Sequence, residues 1–255
     1  MFLSIITPFK GEIKKLEKTL ESYKEFLVNL KFDYEILLIT AEYIKVLPKL
    51  KNFEKLKINL LKEDESKGIY TAMNIGINSS KGKYLIFINC GDIITKSFTD
   101  LIISKKDLIK ENKKLFSFTV SQKKRNSNSL RRRIPPRSKY AGLISNPWSH
   151  CGILFPGKEI RNSNYEIKYK CGADYEKVLN LLFKNSLKYK SFFLKKPAII
   201  LDIDCFSFEN KKICLQDLRL IKRKYFKDKN IIIKIYSNII YLFFYFEQFL
   251  KKNIQ

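Results

Sequence analysis

The sequence has 255 residues, 45% of them hydrophobic, which is enough to bury one substantial core with at most a small second lobe. Fifty lysines and arginines against 25 aspartates and glutamates leave a formal net charge of +25. This charge indicates an anionic partner, such as nucleic acid, a phosphorylated substrate or the anionic face of a membrane, although a compositional bias towards lysine, isoleucine and asparagine would produce part of it.

The cysteines argue against two classes of protein, those with a structural zinc site and secreted proteins held together by disulfides. The five are scattered, odd in number and never spaced as Cys-x-x-Cys, which disfavours a zinc site and the disulfide framework of a secreted domain. Reduced thiols in the cytosol are the better interpretation. The stretch Met1–Phe9 is too short for a signal peptide and lacks its basic start, so we expect a cytoplasmic protein.

Strands and helices alternate along the first part of the chain. Apolar runs predict strands over 2–6, 34–39 and 56–61. The first is expected to end at Thr7 and Pro8, and apolar residues then recur at helical spacing over 13–27. Such alternation implies right-handed crossovers and a parallel sheet.

The densest pattern lies between Lys67 and Asp92. Gly68 opens a helix with apolar residues at helical spacing, closed by Ser-Ser-Lys-Gly. The continuous apolar run 84–88 then predicts a strand covered on both faces. Asp92 follows the carboxyl end of that strand, where open α/β sheets place their ligands.

Both ends of this stretch have a chemical interpretation. Lys67 and the N–H groups that begin the helix can bind a diphosphate, because a helix amino end attracts anions; a plain surface lysine is the alternative. Asp92 is the strongest candidate for a ligand of a divalent metal, and a helix or turn cap is the alternative for it.

The second half of the chain is less regular. We expect a helix over 100–114, strands over 115–120 and 198–207, and a basic helix over 213–226. Between them, 122–139 carries basic runs separated by proline, serine and asparagine, which predicts a loop or hairpin. It either binds substrate phosphates or forms a solvated face. Without interleaved aromatic residues, it gives little support for nucleic-acid binding.

The C-terminal stretch 230–251 is rich in isoleucine and aromatic residues and has basic flanks. It is nearly long enough to span a bilayer, but the charged and amide side chains within it argue against spanning. We therefore expect an amphipathic helix over 226–255 that lies on anionic lipid. Packing on the core or on a second subunit is the alternative.

Two blocks resemble the family 2 glycosyltransferases, in particular the bacterial group that builds capsule, lipopolysaccharide and other surface polysaccharides. Lys67–Gly76 reads Lys-Gly-Ile-Tyr-Thr-Ala-Met-Asn-Ile-Gly, and Ile88–Asp92 reads Ile-Asn-Cys-Gly-Asp. The first strand, Ser4–Phe9, and the block Lys170–Leu182 extend the resemblance. It implies the GT-A fold, an α/β fold in which helices flank a Rossmann-like, nucleotide-binding mixed sheet.

The resemblance also implies a domain division and an activity. Residues 1–225 would form one GT-A domain, with a nucleotide-sugar half (1–120) and an acceptor half (121–225), followed by the C-terminal helix. The implied enzyme is an inverting hexosyltransferase that moves a sugar from a nucleotide sugar, expected to be UDP-linked, to a glycan or lipid-linked acceptor. A divalent ion, Mn²⁺ or Mg²⁺, would assist departure of the nucleotide.

The resemblance also implies roles for individual residues, according to their positions in the matching blocks. Asp174 matches the general base that takes a proton from the acceptor hydroxyl, with a helix N-cap as its alternative. Asp92 matches the metal ligand, with His150 as a second candidate. Trp148 and His150 would lie on the acceptor side, and a structural role is the alternative for this single histidine. The residues expected to hold the nucleotide sugar are Thr7, Pro8, Thr40, Glu42, Ser66, Lys67, Gly68, Asn74 and Asn89.

Three positions depart from the family pattern. Thr40 and Ser66 stand where relatives have aspartates, and Cys90 replaces an acid seen in many of them. These departures leave open a degenerate member that binds without catalysing, and the charge leaves open a basic membrane- or nucleic-acid-binding protein on the same fold. The enzyme would work in the cytoplasm or at the inner face of the cell membrane, and a homo-oligomer is left open.

Overall fold

The computed structural model describes residues 1–28, 30, 32–63, 67–111, 114–123, 129–202 and 210–226. The strands found there are β1 (Leu3–Phe9), β2 (Tyr34–Thr40), β3 (Ile58–Lys62), β4 (Tyr84–Phe87), β5 (Ile93–Ile94), β6 (Lys114–Phe118), β7 (Val120–Lys123), β8 (Leu130–Arg133), β9 (Ile153–Pro156), β10 (Lys188–Phe192) and β11 (Ile199–Leu201). The helices are α1 (Ile13–Leu27), α2 (Tyr43–Leu50), α3 (Ile69–Ser79), α4 (Lys96–Ser104), α5 (Lys106–Glu111), α6 (Gly157–Arg161), α7 (Ala173–Leu179) and α8 (Lys211–Phe226).

A seven-stranded mixed sheet forms the centre, in the order β10-β6-β9-β4-β1-β2-β3. Strands β3, β2, β1 and β4 run parallel, whereas β9 runs antiparallel to both β4 and β6. Strands β1, β2 and β4 are buried along their whole length, as expected of parallel strands with both faces covered. The predicted α/β class with a mixed sheet is confirmed.

Each face of this sheet has its own hydrophobic core, because successive residues of a strand point to opposite faces. Leu3 and Ile5 of β1 lie in the cluster that contains Leu16 of α1. Ile6 lies in the other cluster, together with Met73 of α3. Helices α1 and α3 therefore cover the two faces of β1, and both reach the edge of the sheet where β1 and β4 end.

A second sheet, in the order β5-β11-β7-β8, holds the loops that follow the central strands. Strand β11 pairs antiparallel with β5 and parallel with β7, and β7 with β8 forms an antiparallel hairpin. The hairpin confirms one of the two forms predicted for 122–139. Because β5 directly follows Asp92 and β11 directly precedes Asp202, this sheet brings two distant carboxylates together.

The predicted end of the first strand is wrong. Strand β1 continues through Thr7 and Pro8 to Phe9 and pairs with β2 over this whole length. Its pairing with β4 stops at Ile6. Pro8 therefore lies in the part of β1 that has only β2 as its strand partner, as at a sheet edge, where proline is tolerated.

Two other predictions were too simple. The helix expected over 100–114 is two helices, α4 and α5, separated at Lys105. The strand expected over 115–120 is also two strands, β6 and β7, which belong to different sheets on either side of Thr119. An apolar run indicates that residues are buried but not which sheet they join. The sequence pattern therefore could not show that the chain leaves one sheet and enters the other at Thr119.

The basic helix predicted over 213–226 is confirmed as α8. Residues 227–255 of the predicted C-terminal helix lie outside the described residues, as do Ser66 and the part of the predicted strand from 203 to 207. Within the described ranges, no helix is both long enough and apolar enough to cross a membrane.

Candidate active site

A cavity of about 420 Å³ opens where β4 and β11 end and α3 and α7 begin. Its lining includes the side chains of Asn89, Cys90, Asp92, His150, Cys151, Asp174 and Asp202. A neighbouring cavity of about 270 Å³ shares Ile69, Asn89 and Cys90 with it and extends along the residues after β1. The predicted catalytic aspartate, metal ligand and acceptor-side residues thus lie around one continuous opening.

The loop that carries Asp92 is held against α1. The Gly91 N–H donates to the Lys15 carbonyl (3.1 Å) and to the Thr19 hydroxyl (2.9 Å), and that hydroxyl donates to the Asp92 carbonyl (2.8 Å). Gly91 has a φ of +97°, and a Cβ there would lie 2.7 Å from Oδ2 of Asp202. The backbone conformation therefore favours glycine at this position, and any larger residue would also press on the Asp202 side chain.

The Asp92 carboxylate is buried, with 4% of the residue exposed, and both of its oxygens are engaged. Oδ1 accepts from the Asp202 backbone N–H (2.8 Å), and Oδ2 accepts from the Cys151 thiol (3.1 Å). Burial raises the pKa of Asp92 to about 6. Burial of a carboxylate is unfavourable, yet Asp92 faces a cavity beside a second carboxylate, that of Asp202. This arrangement makes Asp92 a candidate ligand for a cation.

The donor atoms here suit a hard divalent ion. Asp202 adds a carboxylate, which also pairs with Lys15 (3.6 Å) and Lys18 (3.7 Å), and the buried Oδ1 of Asn89 accepts no hydrogen bond from the described residues. Carboxylate and amide oxygens are the ligands that Mg²⁺ and Mn²⁺ prefer. In the described part of the chain, no group of three or more His, Cys, Asp or Glu side chains could hold a metal. The oxygen atoms that this part of the cavity offers are those of the two carboxylates and the Asn89 amide.

Asp174 lies in the first turn of α7, and the cap position of that helix is Gly172. The N-cap alternative for Asp174 is therefore wrong. Its Oδ1 accepts from the Tyr175 N–H (2.8 Å) and from the Tyr70 hydroxyl (3.4 Å). Burial raises the pKa of Asp174 to about 6, which leaves it ionised at neutral pH but a better proton acceptor than an exposed aspartate.

His150 is packed among aromatic rings. It stacks on Phe87 with 4.7 Å between ring centroids, and its Nε2 shares a 2.7 Å hydrogen bond with the Tyr165 hydroxyl. Burial lowers the pKa of the His150 imidazole to about 3, so the ring is neutral. The Tyr165 hydroxyl occupies Nε2, so any ligand contact of this ring would be made through Nδ1. Trp148 is buried and lines the same wall.

Four of the residues predicted to hold the nucleotide sugar also make contacts within the protein. Thr7 bonds to the Tyr23 hydroxyl (2.8 Å), and Thr40 accepts from the Glu42 N–H (2.9 Å). Glu42 in turn accepts from the Gly11 N–H (2.7 Å) and shapes the loop after β1. Asn74 bonds to both backbone groups of Tyr165, at 2.7 and 3.1 Å, and the Tyr165 hydroxyl in turn bonds to His150 in the cavity wall.

The other candidates lie nearer the openings. Pro8 and Gly68 line the smaller cavity, Asn89 lines both, and Lys67 is exposed beside Gly68. The Lys67 N–H donates to Oε1 of Glu63 (3.3 Å), a buried carboxylate that also lines the smaller cavity.

Sequence reasoning missed Asp202, Glu63 and Cys151. Asp202 and Glu63 each stand directly past the carboxyl end of a strand, the same signal that identified Asp92. No local pattern marks Cys151, because its thiol reaches Asp92 only through the folding of β9 beside β4.

Residues 4–155 match the family model described as glycosyl transferase family 2, which is more than half of the chain. The chain therefore belongs to this family, and its fold is the GT-A fold. No curated protein matches its sequence.

Solved structures share the fold at low identity. One is TarS 1-349 of S. aureus in complex with UDP, at 13% identity and a TM-score of 0.62, covering 87% of this chain and 64% of that one. Another is the mannosyltransferase PcManGT from Pyrobaculum calidifontis in complex with GDP-Man and Mn²⁺, at 11% identity and a TM-score of 0.64, covering 89% of this chain and 65% of that one. The chain thus spans less than two thirds of the length of these proteins.

Proposed function

We propose that the protein transfers a sugar, with inversion, from a nucleotide sugar to a hydroxyl group of a glycan or lipid-linked acceptor. The observation that carries this proposal is the convergence of Asp92 and Asp174 on one cavity, at the edge of the sheet where the parallel strands end. Related folds have been solved with UDP, with UDP-GlcNAc and with GDP-Man and Mn²⁺. UDP is the expected nucleotide.

The two adjoining cavities would bind different parts of the substrates. The smaller cavity, between the loop after β1 and the start of α3, takes the nucleotide, as proposed for the half formed by residues 1–120. Gly68 precedes α3 with a φ of +105°, and no side chain caps the start of this helix, so its first N–H groups can donate to phosphate oxygens. The larger cavity takes the sugar and the acceptor, with walls from the half formed by 121–225.

Charge development on the departing diphosphate is the main electrostatic problem of this reaction. A divalent ion would supply a Lewis acid there, and Asp92 and Asp202 are the residues that would hold it. The loop hydrogen bonds through Thr19 and Gly91 keep Asp92 oriented, and the Cys151 thiol fixes one of its oxygens.

Asp174 performs the proton transfer. As the acceptor oxygen attacks the anomeric carbon from the face opposite the nucleotide, its proton moves to the Asp174 carboxylate. The Tyr175 N–H (2.8 Å) orients this carboxylate, and the Tyr70 hydroxyl, which donates chiefly to the Cys171 carbonyl (2.9 Å), lies 3.4 Å from the same oxygen. The neutral His150 adds no competing charge to the acceptor side.

Thermal stability against a panel of nucleotide sugars with Mn²⁺ or Mg²⁺ tests the donor site. We expect one donor to raise the melting temperature of the wild type in the presence of metal, because a ligand bound only by the folded state stabilises it. Asp92→Asn should lose the metal-dependent part of this shift. The matched control Asp33→Asn, at an aspartate with a side chain that is 74% exposed, should retain it.

Turnover distinguishes an enzyme from a degenerate binding member of the family. A donor that stabilises the protein but is never consumed with any hydroxyl acceptor would favour the binding role suggested by Thr40 and Cys90. A panel without any shift, with either metal, would contradict the donor site itself. Surface polysaccharide synthesis, the hexosyl specificity, work at the inner membrane face and a homo-oligomer are finer proposals that rest on the family resemblance.

A further inference from the structure

A second feature lies beside the larger cavity, on the surface around the edge strand β8. Five large apolar side chains are exposed in this part of the molecule: Leu130 (44%), Ile134 (56%), Tyr140 (61%), Ile144 (37%) and Phe193 (50%). Every charged side chain in the segments 129–144 and 183–196 is a lysine or an arginine. We call these five apolar residues, with the lysines and arginines of the two segments, the basic apolar patch.

Contacts join the two segments into one surface. The Arg137 guanidinium lies over the Phe193 ring, 5.8 Å from its centroid, and Arg132 donates to the Leu194 carbonyl. The Tyr189 hydroxyl donates to the Pro136 carbonyl (2.8 Å). Further along, Lys139 donates to the Leu182 carbonyl (3.1 Å), and the Tyr140 ring lies 5.9 Å from that of Phe183.

The patch adjoins the mouth of the larger cavity. Arg133, the last residue of β8, lines that cavity and donates to Gln122, which lines it too. Trp148 in the acceptor-side wall packs edge-on against Tyr189, with ring centroids 6.1 Å apart. A molecule bound to the patch would therefore lie beside the acceptor side of the site.

We infer that the basic apolar patch docks the protein on an anionic phospholipid membrane. Exposed apolar side chains set among basic groups match a surface that is anionic at the headgroups and apolar below them. Arginines on an edge strand also deter strand pairing, but that role does not require Ile134 and Phe193 to be exposed beside them. The assignment deepens the proposed function, since it would present a lipid-linked acceptor at the mouth of the cavity.

Vesicle flotation with the full chain tests this directly and needs neither donor nor turnover, so its failure leaves the proposed transferase reaction untouched. The vesicles contain phosphatidylglycerol and phosphatidylcholine in equal parts, or phosphatidylcholine alone. Two double variants remove different parts of the patch: Ile134→Ser with Phe193→Ser, and Arg131→Gln with Lys195→Gln. The matched controls lie elsewhere, Ile44→Ser with Leu47→Ser on α2 and Lys51→Gln with Lys55→Gln after it, all exposed.

We expect the wild type and both controls to bind the anionic vesicles, and each patch variant to bind about tenfold more weakly. Melting temperatures close to that of the wild type would show that the variants are folded. The inference is overturned if the wild type does not bind anionic vesicles, or if the patch variants bind as well as the controls, since residues 227–255 or overall charge would then account for binding. It is equally overturned if only the charge variant loses binding, because that result describes a site for soluble polyanions.

Discussion

Asp174→Asn is expected to lower kcat by about 10²- to 10⁴-fold, the usual contribution of a positioned general base. Asparagine can still accept from the Tyr175 N–H and the Tyr70 hydroxyl, so the cavity wall should keep its shape. It cannot take the proton of the acceptor hydroxyl. Initial rates at saturating donor and acceptor measure the loss, and the donor-induced rise in melting temperature should remain as in the wild type.

The pH dependence gives this prediction a second measurement. Because burial raises the pKa of Asp174 to about 6, kcat of the wild type should fall as pH drops through about 6, and the residual rate of the variant should lack the part of this decline that Asp174 causes. Ionisation of Asp174 changes the stability of the fold in the opposite direction. A raised carboxyl pKa means that ionisation costs stability as pH rises from about 4 through 6, so the variant should be at least as stable as the wild type at neutral pH.

A rate within about threefold of the wild type would contradict the assignment of Asp174 as the base. A large loss of both rate and donor binding would indicate a damaged site instead. Asp33→Asn, on the far surface of the molecule, controls for the loss of one negative charge.

In the loop that carries Asp92, Gly91→Ala is expected to lower the stability of the protein more than Asp92→Asn does. Alanine at a φ of +97° is strained, which costs about 1–3 kcal/mol, and its Cβ would lie 2.7 Å from the Asp202 carboxylate. Either the backbone or Asp202 must move, and both lie beside the proposed metal. We expect a lower free energy of unfolding in urea together with weaker Mn²⁺-dependent stabilisation by the donor.

Gly11→Ala is a matched control, because Gly11 has a φ of +105° and no atom lies within 4 Å of the point that an alanine Cβ would occupy. It shares the backbone strain but not the contact with Asp202. An equal loss of stability in the two variants, with metal dependence intact in both, would show that the contact between position 91 and Asp202 has no importance for the site.

Much of the first half of the fold could be predicted because local periodicity records burial directly. The buried runs that became β1, β2 and β4 had no polar face, as parallel strands covered by helices require. The place of Asp92 followed from the same logic, since a residue just past a buried strand lies at the edge of the sheet where ligands bind. The catalytic role of Asp174 was predicted only from the family resemblance of its block, because the periodicity of apolar residues carries no signal for catalysis.

Only the tertiary structure decided which side chains share the site. Asp202 reaches Asp92 across 110 positions of sequence because β11 pairs with β5, and Cys151 reaches it because β9 lies beside β4. Asn74, which the family block predicted to hold the nucleotide sugar, bonds to both backbone groups of Tyr165, and the block itself did not indicate this contact. The sequence by itself determined the main strands and helices of the first half of the chain and, through its motifs, the family. Strand order determined the neighbours of each carboxylate, because pairing between distant strands leaves no signal in the spacing of residues along the chain.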